Sequence, residues 1–351
     1  MTSQTDRASS HDSARCSHTE ALTEARFARL RRIPESSPCE QLARWAAASL
    51  VGEARLTPKP GLVDRRNTGA HRDMDLDTFL ASATALEPCF CAYANAGLRL
   101  GGDNPSALAI ELRRLGVTGE QAMFSATNGI NTHKGANFAF ALIMGACGAH
   151  LAQTGKLPSS AEDTARVLSL VQAMGACLLD ADVRDLLARS HLAAVNSENA
   201  PALSHGEQIF LKSGLSGARG EAAQGYPLLR DLLLPYLREH CPVHIEQAAI
   251  GDSDASSLLL QSLLIMMARL EDTNVVHRGG IEALADHRAF CENLLAQDLS
   301  DQELRRALER YDDRLISTNI SPGGAADLLS LGIFFALTEG LFTLDALRYA
   351  V

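Results

Sequence analysis

Five stretches of this 351-residue chain gather the side chains that do chemistry. "LTPKPGLVDRRNTGAHRDMD", residues 56–75, carries Lys59, Asp64, Arg65, Arg66, Arg72, Asp73 and Asp75 together with His71. Pro58, Pro60, Gly61 and Gly69 restrict or special-case its backbone. A solvated connector needs neither so much charge nor so rigid a backbone, and the stretch reads as a grip on a polyphosphate. In extended backbone Asp73 and Asp75 point the same way, a spacing suited to one hard cation such as Mg²⁺. The same acids would also suit a charged turn that complements the positive end of the next helix.

The second stretch, "ATNGINTHKGANF" at 126–138, puts Asn128, Asn131, Thr132, His133 and Lys134 where a helix begins. Free backbone N–H groups, a lysine, and hydroxyl and amide donors make an anion site there; capping by Asn131 alone would need neither His133 nor Lys134. In the third, "RLEDTNVVHRGGIEAL" at 269–284, an apolar helix runs into Glu271, Asp272, Thr273 and Asn274, then His277, Arg278, Gly279 and Gly280. Acids at a helix C-terminus oppose its dipole, which Mg²⁺ or Arg278 could compensate. The fourth, "NISPGGAADLL" at 319–329, places Gly323 and Gly324 after Pro322, with Asp327 one turn in. It permits close approach of a ligand to a helix start, or equally close helix packing. A fifth, "SGARGEAAQGYP", contributes Arg219 and Glu221. His240 and His244 have i,i+4 spacing, but Pro242 stands between them and no third ligand is evident, so no metal site is assigned.

The elements that must position these groups are helices. Abundant Ala and Leu with few aromatics favour helix over sheet. "CEQLARWAAASLVGEARL" sets Leu42, Trp45, Ala46, Ser49 and Leu50 on one side. A second helix is expected over 77–100, kinked at Pro88; a third starts at Pro105 after Asn104 and stops at Gly116. A long helix spans Asn131 to Gly155, Ser160 opens another, Ser300 and Glu303 form a capping box, and Ser321-Pro322 precedes the last helix. The best strand signal is "PVHIEQA" near residue 243. Residues 1–38 are poor in large apolar groups and read as a disordered leader, with a short helix near 21–32. No linker divides the rest, so the expected architecture is all-α: one multi-helix catalytic domain over 39–351.

Hydrophobic residues at 46% provide a core, and a net charge of −10 argues against nucleic-acid binding while leaving room for a small anionic ligand. Eight cysteines without a CxxC, several in apolar helical runs, read as a reduced, cytoplasmic chain. No secretory signal opens it, and the apolar run Leu258–Leu270 is too short to span a bilayer, so no membrane partner is expected. No Walker P-loop, strand-borne GxGxxG or kinase signature occurs. A nucleotide would therefore bind in a helical setting through distributed residues.

In their order along the chain the five stretches resemble the triphosphoribosyl-dephospho-coenzyme A synthase family, over residues 40 to 335. "NGINTHKG" and "GARGEAA" resemble the citrate lyase branch more than the malonate decarboxylase branch; Tyr226 stands where the family pattern has Phe, and Ala325 where it has Ser. The resemblance implies a pentosyl transfer. The ribose 2'-hydroxyl of 3'-dephospho-coenzyme A attacks C1 of ATP's ribose, adenine leaves, and the triphosphate stays attached. The product would pass to a transferase that modifies an acyl carrier protein. Such chemistry needs a carboxylate near the ribosyl cation, a general acid for adenine, a base for the acceptor hydroxyl, and cations for two polyanions. Lys59, Arg65, Lys134 and Arg278 are the implied phosphate contacts, with His71, Asn131, Thr132, Asn274, Gly323 and Gly324 completing substrate binding. Mg²⁺ is expected on Asp73, Asp75 or Asp272, and Asp73, Glu221 and His133 are the catalytic candidates. A Mg²⁺-dependent helical hydrolase of N-glycosidic bonds and a non-catalytic nucleotide-binding scaffold are the alternatives.

Overall fold

A computed structural model describes residues 37–195, 205–241, 252–345 and 347. The leader, its short helix at 21–32, the strand near 243 and His244 fall outside the described residues. Within them every regular element is helical. The helices are α1 (Pro38–Arg55), α2 (Leu76–Leu100), α3 (Pro105–Ala126), α4 (Lys134–Thr154), α5 (Ala161–Val195), α6 (His205–Ser213) and α7 (Gly217–Ala223). After a π-turn at Leu229–Leu233 follow α8 (Leu234–His240), α9 (Asp252–Arg269), α10 (Thr273–Leu295), α11 (Asp301–Ser317) and α12 (Gly323–Thr338).

Local signals start several of these helices where the side chains dictate. Ser37 caps α1 in a capping box with Glu40, and Asp75 caps α2 through the Thr78 amide. Asn104 precedes Pro105 as cap of α3, and Ser300 with Glu303 starts α11. α2 continues through Pro88. The stop expected at Gly116 is overturned: α3 runs on through Gly116 and Gly119 to Ala126. Gly119 serves close packing, whereas a Cβ at Gly116 would meet open space. Gly116 exposes its carbonyl to the Asn137 amide at 3.1 Å, and a Cβ at Gly119 would collide with the Tyr93 hydroxyl.

The buried apolar residues from Cys39 to Leu347 form one cluster. Its centre is α4, buried from Ala136 to Leu151 on nearly every side, and α12, buried from Leu328 to Thr338. Among the described residues α4 is one of two helices long and apolar enough to cross a membrane; 83% of its window lies inside the protein, as a core helix does. α4 lies parallel to α2: Ser82 is beside His133, Phe90 beside Phe140, and Gly97 beside Gly145. The two backbones touch there, since a Cβ on Gly97 or Gly148 would strike a carbonyl of the facing helix. Parallel packing brings the starts of α2 and α4 to one end of the bundle. α12 packs against α1, α4 and α9, and its start reaches the same end.

Candidate active site

A cavity of about 730 Å³ opens at that end, where the starts of α2, α4, α10 and α12 meet the 56–75 loop. The loop owes its shape to its own charges. The Asp64 carboxylate accepts from the amides of Lys59, Arg66 and Asn67 at 2.9, 2.7 and 3.1 Å. Buried Asp312 of α11 accepts from the Gly61 amide at 2.9 Å and the Asn67 side chain at 2.7 Å, and Arg66 reaches it at 3.4 Å. Gly61 and Gly69 have φ of 71° and 56°, and a Cβ on either would meet backbone.

Lys59, expected at a phosphate, faces the cavity but is 2% exposed and paired with Glu53 of α1 at 2.5 Å. Arg65 does not line the cavity. Asp75 does not line it either: its carboxylate accepts from the Thr78 amide at 2.9 Å and hydroxyl at 2.6 Å. Asp75 keeps an extended backbone, φ −137° and ψ −176°, but its carboxylate serves the start of α2, as the charged-turn reading has it, and does not join Asp73 at the cavity. Asp73 stands exposed at the rim, while Asp75 caps α2.

Asp272 is buried and joins two helix starts. Its carboxylate accepts from the Asn274 amide of α10 at 2.8 Å and the Ala325 amide of α12 at 3.1 Å, with the Val275 and Gly324 amides also bonded to it. This double cap explains the acid that followed an apolar helix: it belongs to the positive ends of the next helices. Among the described residues no group of three or more His, Cys, Asp or Glu is arranged to hold a metal ion. The set Asp73, Asp75 and Asp272 thus forms no resident Mg²⁺ cage. Of the three, only Asp73 stands exposed at the mouth of the cavity. Gly323 and Gly324 line the cavity, and their missing side chains make room for Asn274 and Asp272.

Arg278 precedes a break in α10 at Gly280, φ 81°. Its guanidinium donates to the Ala70 carbonyl at 2.8 Å and the Asn319 side chain at 3.1 Å. His71 lies 3.3 Å from it and 2.9 Å from the Ser321 hydroxyl; burial first, then the Arg278 charge, lowers its pKa to about 4. Lys134 and Asn131 are exposed at the rim, Lys134 with Glu120 at 3.1 Å. Deeper, Thr132 donates to the Ser82 hydroxyl at 2.7 Å, and Ser82 lies 2.7 Å from His133 Nδ1. Burial, then the Lys59 charge, lowers the His133 pKa to about 3. His133 is accordingly a neutral imidazole at physiological pH, not an imidazolium donor. Its Nε2 is buried without a partner among the described residues.

Glu221 of α7 faces the same space. Burial, helped by the Glu271 charge, raises its pKa to about 7, and its Oε2 has no hydrogen-bond partner among the described residues. Arg219 turns elsewhere, to Asp182 at 3.0 Å. The arrangement offers cations at the rim, a neutral imidazole within, and a carboxyl that exchanges its proton near neutrality.

A family model described as CitG, ATP:dephospho-CoA triphosphoribosyl transferase, matches residues 39–345. The chain belongs to this family. Relatives from Streptococcus pyogenes serotypes M49 and M1, each named probable 2-(5''-triphosphoribosyl)-3'-dephosphocoenzyme-A synthase, are 42% identical over 305 residues. That alignment covers 86% of this chain and 97% of each relative. No solved structure matches.

In this triphosphoribosyl transferase, three further residues that the sequence motifs do not single out as site residues, Glu53, Asp327 and Tyr226, line the cavity. Glu53 sits in α1, in step with Leu42, Ala46 and Leu50. An acid on an apolar stripe was the signal. Asp327 was noted only as one turn into α12, and Tyr226 only as a departure from the family pattern. Tyr226 has φ 52° and a buried hydroxyl with no hydrogen-bond partner among the described residues.

Proposed function

We propose that the chain transfers the triphosphoribosyl group of ATP to the ribose 2'-hydroxyl of 3'-dephospho-coenzyme A and releases adenine. The observation that carries this reading is Glu221, held near neutrality in a deep cavity whose rim bears Arg72, Lys134 and Arg278. Such a site suits a ligand with an uncharged reacting centre and an anionic tail. The volume fits a nucleotide's base and sugar, with the phosphates toward the mouth. Glu221 is the base for the acceptor hydroxyl, and the rim cations gather the two polyanions. Mg²⁺ enters as part of the ATP substrate, with Asp73 beside it. Bond cleavage at C1 leaves every phosphoanhydride intact, which matches a chain without a P-loop.

The citrate lyase branch, and hand-over of the product to a transferase acting on an acyl carrier protein, belong to this proposal. They rest on the wording of "NGINTHKG" and "GARGEAA". A cytoplasmic location is supported by the seven described cysteines, all unpaired. The test is incubation of the purified protein with ATP, Mg²⁺ and 3'-dephospho-coenzyme A, followed by mass spectrometry. Adenine and a triphosphoribosylated product are expected, with no ADP, AMP or phosphate. Adenine released equally fast without the acceptor would identify a hydrolase instead.

A further inference from the structure

Asp327 stands on the inner side of α12 and faces the cavity. Its surroundings are acidic. The carboxylates of Glu53 from α1 and Asp272 from the start of α10 both act on it, and Tyr226, after α7, is close enough to feel its charge. Lys59, from the loop, is paired to Glu53, and His133 at the start of α4 is neutral. The Asp327 carboxylate lies so close to Gly135, in the first turn of α4, that a Cβ there would collide with it. Among the described residues no hydrogen-bond donor or cation reaches this carboxylate; its bond to Ser330 uses the backbone carbonyl. An acid in that position is poorly ionised: burial and the Glu53 and Asp272 charges raise its pKa well above the usual range.

We propose that Asp327 is the general acid of the transfer, the group that hands adenine its proton as the glycosidic bond breaks. This rests on the transfer reading above and adds a division of labour to it. The C1–N9 bond breaks and its electron pair goes to adenine. The Asp327 proton goes to a ring nitrogen of the purine, so adenine leaves neutral. The acceptor oxygen bonds to C1 and gives its proton to Glu221. Asp327 regains a proton and Glu221 loses one after product release, so the cycle closes without net proton change. Two carboxyl groups with different surroundings thus take opposite tasks, one protonated at rest and one poised to ionise.

The test compares the wild type with Asp327→Asn and Gly135→Ala, using ATP and N7-methylated ATP as donors. The N7-methylated purine leaves as a neutral base without taking up a proton. With ATP, Asp327→Asn should lower kcat about 100-fold or more while KM changes little. With the N7-methylated donor the variant should come within about fivefold of wild type, since the step served by the acid is gone. Wild-type kcat should fall as pH rises through the Asp327 titration with ATP, and that fall should be absent with the methylated donor. Gly135→Ala displaces the carboxylate without removing it and should show the same donor-dependent loss; it carries the test if Asp327→Asn does not fold. Equal losses with both donors, or undiminished turnover of ATP, would overturn the assignment while leaving the transfer reading intact. No adenine from the wild type would overturn both.

Discussion

The 56–75 loop and the cavity floor built by α1 and α12 treat their charges in opposite ways. The loop is dense in charge, and much of it is internal: Asp64 ties three amides, Arg66 and Asn67 reach Asp312, and Lys59 turns inward to Glu53. The cavity-facing sides of α1 and α12 are apolar with isolated acids, and one of these, Asp327, is left without a counter-charge at the cavity. Charge density in a sequence therefore marks where backbone must be held. Reactivity is expected where an ionisable group faces the cavity without a partner, because its proton is then free to move to or from a substrate.

The comparison sharpens most on the cavity side. Glu221→Gln should lower kcat about 10²–10⁴-fold with the melting temperature little changed. In the wild type the rate should rise with pH through about 7, because burial and Glu271 hold the carboxyl protonated below that value and the base form is needed. A rate that falls through the same range would give Glu221 the acid's task.

Lys59→Met comes next and tests the loop. Removing one partner of a buried pair should cost about 3–5 kcal/mol of stability, and replacing Glu53 by Met as well should recover most of it. Thermal denaturation decides: an unchanged melting temperature with a raised KM for ATP would return Lys59 to the phosphates. Asp272→Ala strips caps from two helices and should cost about 2–4 kcal/mol, roughly 1–2 per helix start. Lost Mg²⁺ dependence at unchanged stability would reinstate it as a metal ligand. The smallest effect belongs to Arg65→Ala. Lying off the cavity, it should leave kcat and KM within about twofold and stability within about 0.5 kcal/mol. A tenfold rise in KM would break the contrast between loop and floor.

Much of this was legible beforehand, for reasons particular residues make plain. Asn104-Pro105, Ser300 with Glu303, and Ser321-Pro322 act within one helical turn, so their helix starts followed from sequence. Glu221, His133 and Arg278 were found because polar residues interrupt apolar patterns. Gly116 reads as a stop but lies inside α3, where Asn137 of a neighbouring helix holds its carbonyl. Asp75 and Asp272 read equally as caps or as metal ligands in sequence, because both tasks call for the same residue type. Only the placement of nearby amides tells them apart.

By itself the sequence determined the helical class, several helix starts and the gathering of acids, amides and cations into five stretches, since capping and periodicity act over a few residues. The tertiary structure decided the protonation and partnership of each group. It set Glu53 against Lys59, Asp272 across two helix starts, and Asp327 against Gly135. Those pairings join residues far apart in the chain. Desolvation and Coulomb interaction depend on distance in space, which one-dimensional spacing does not encode.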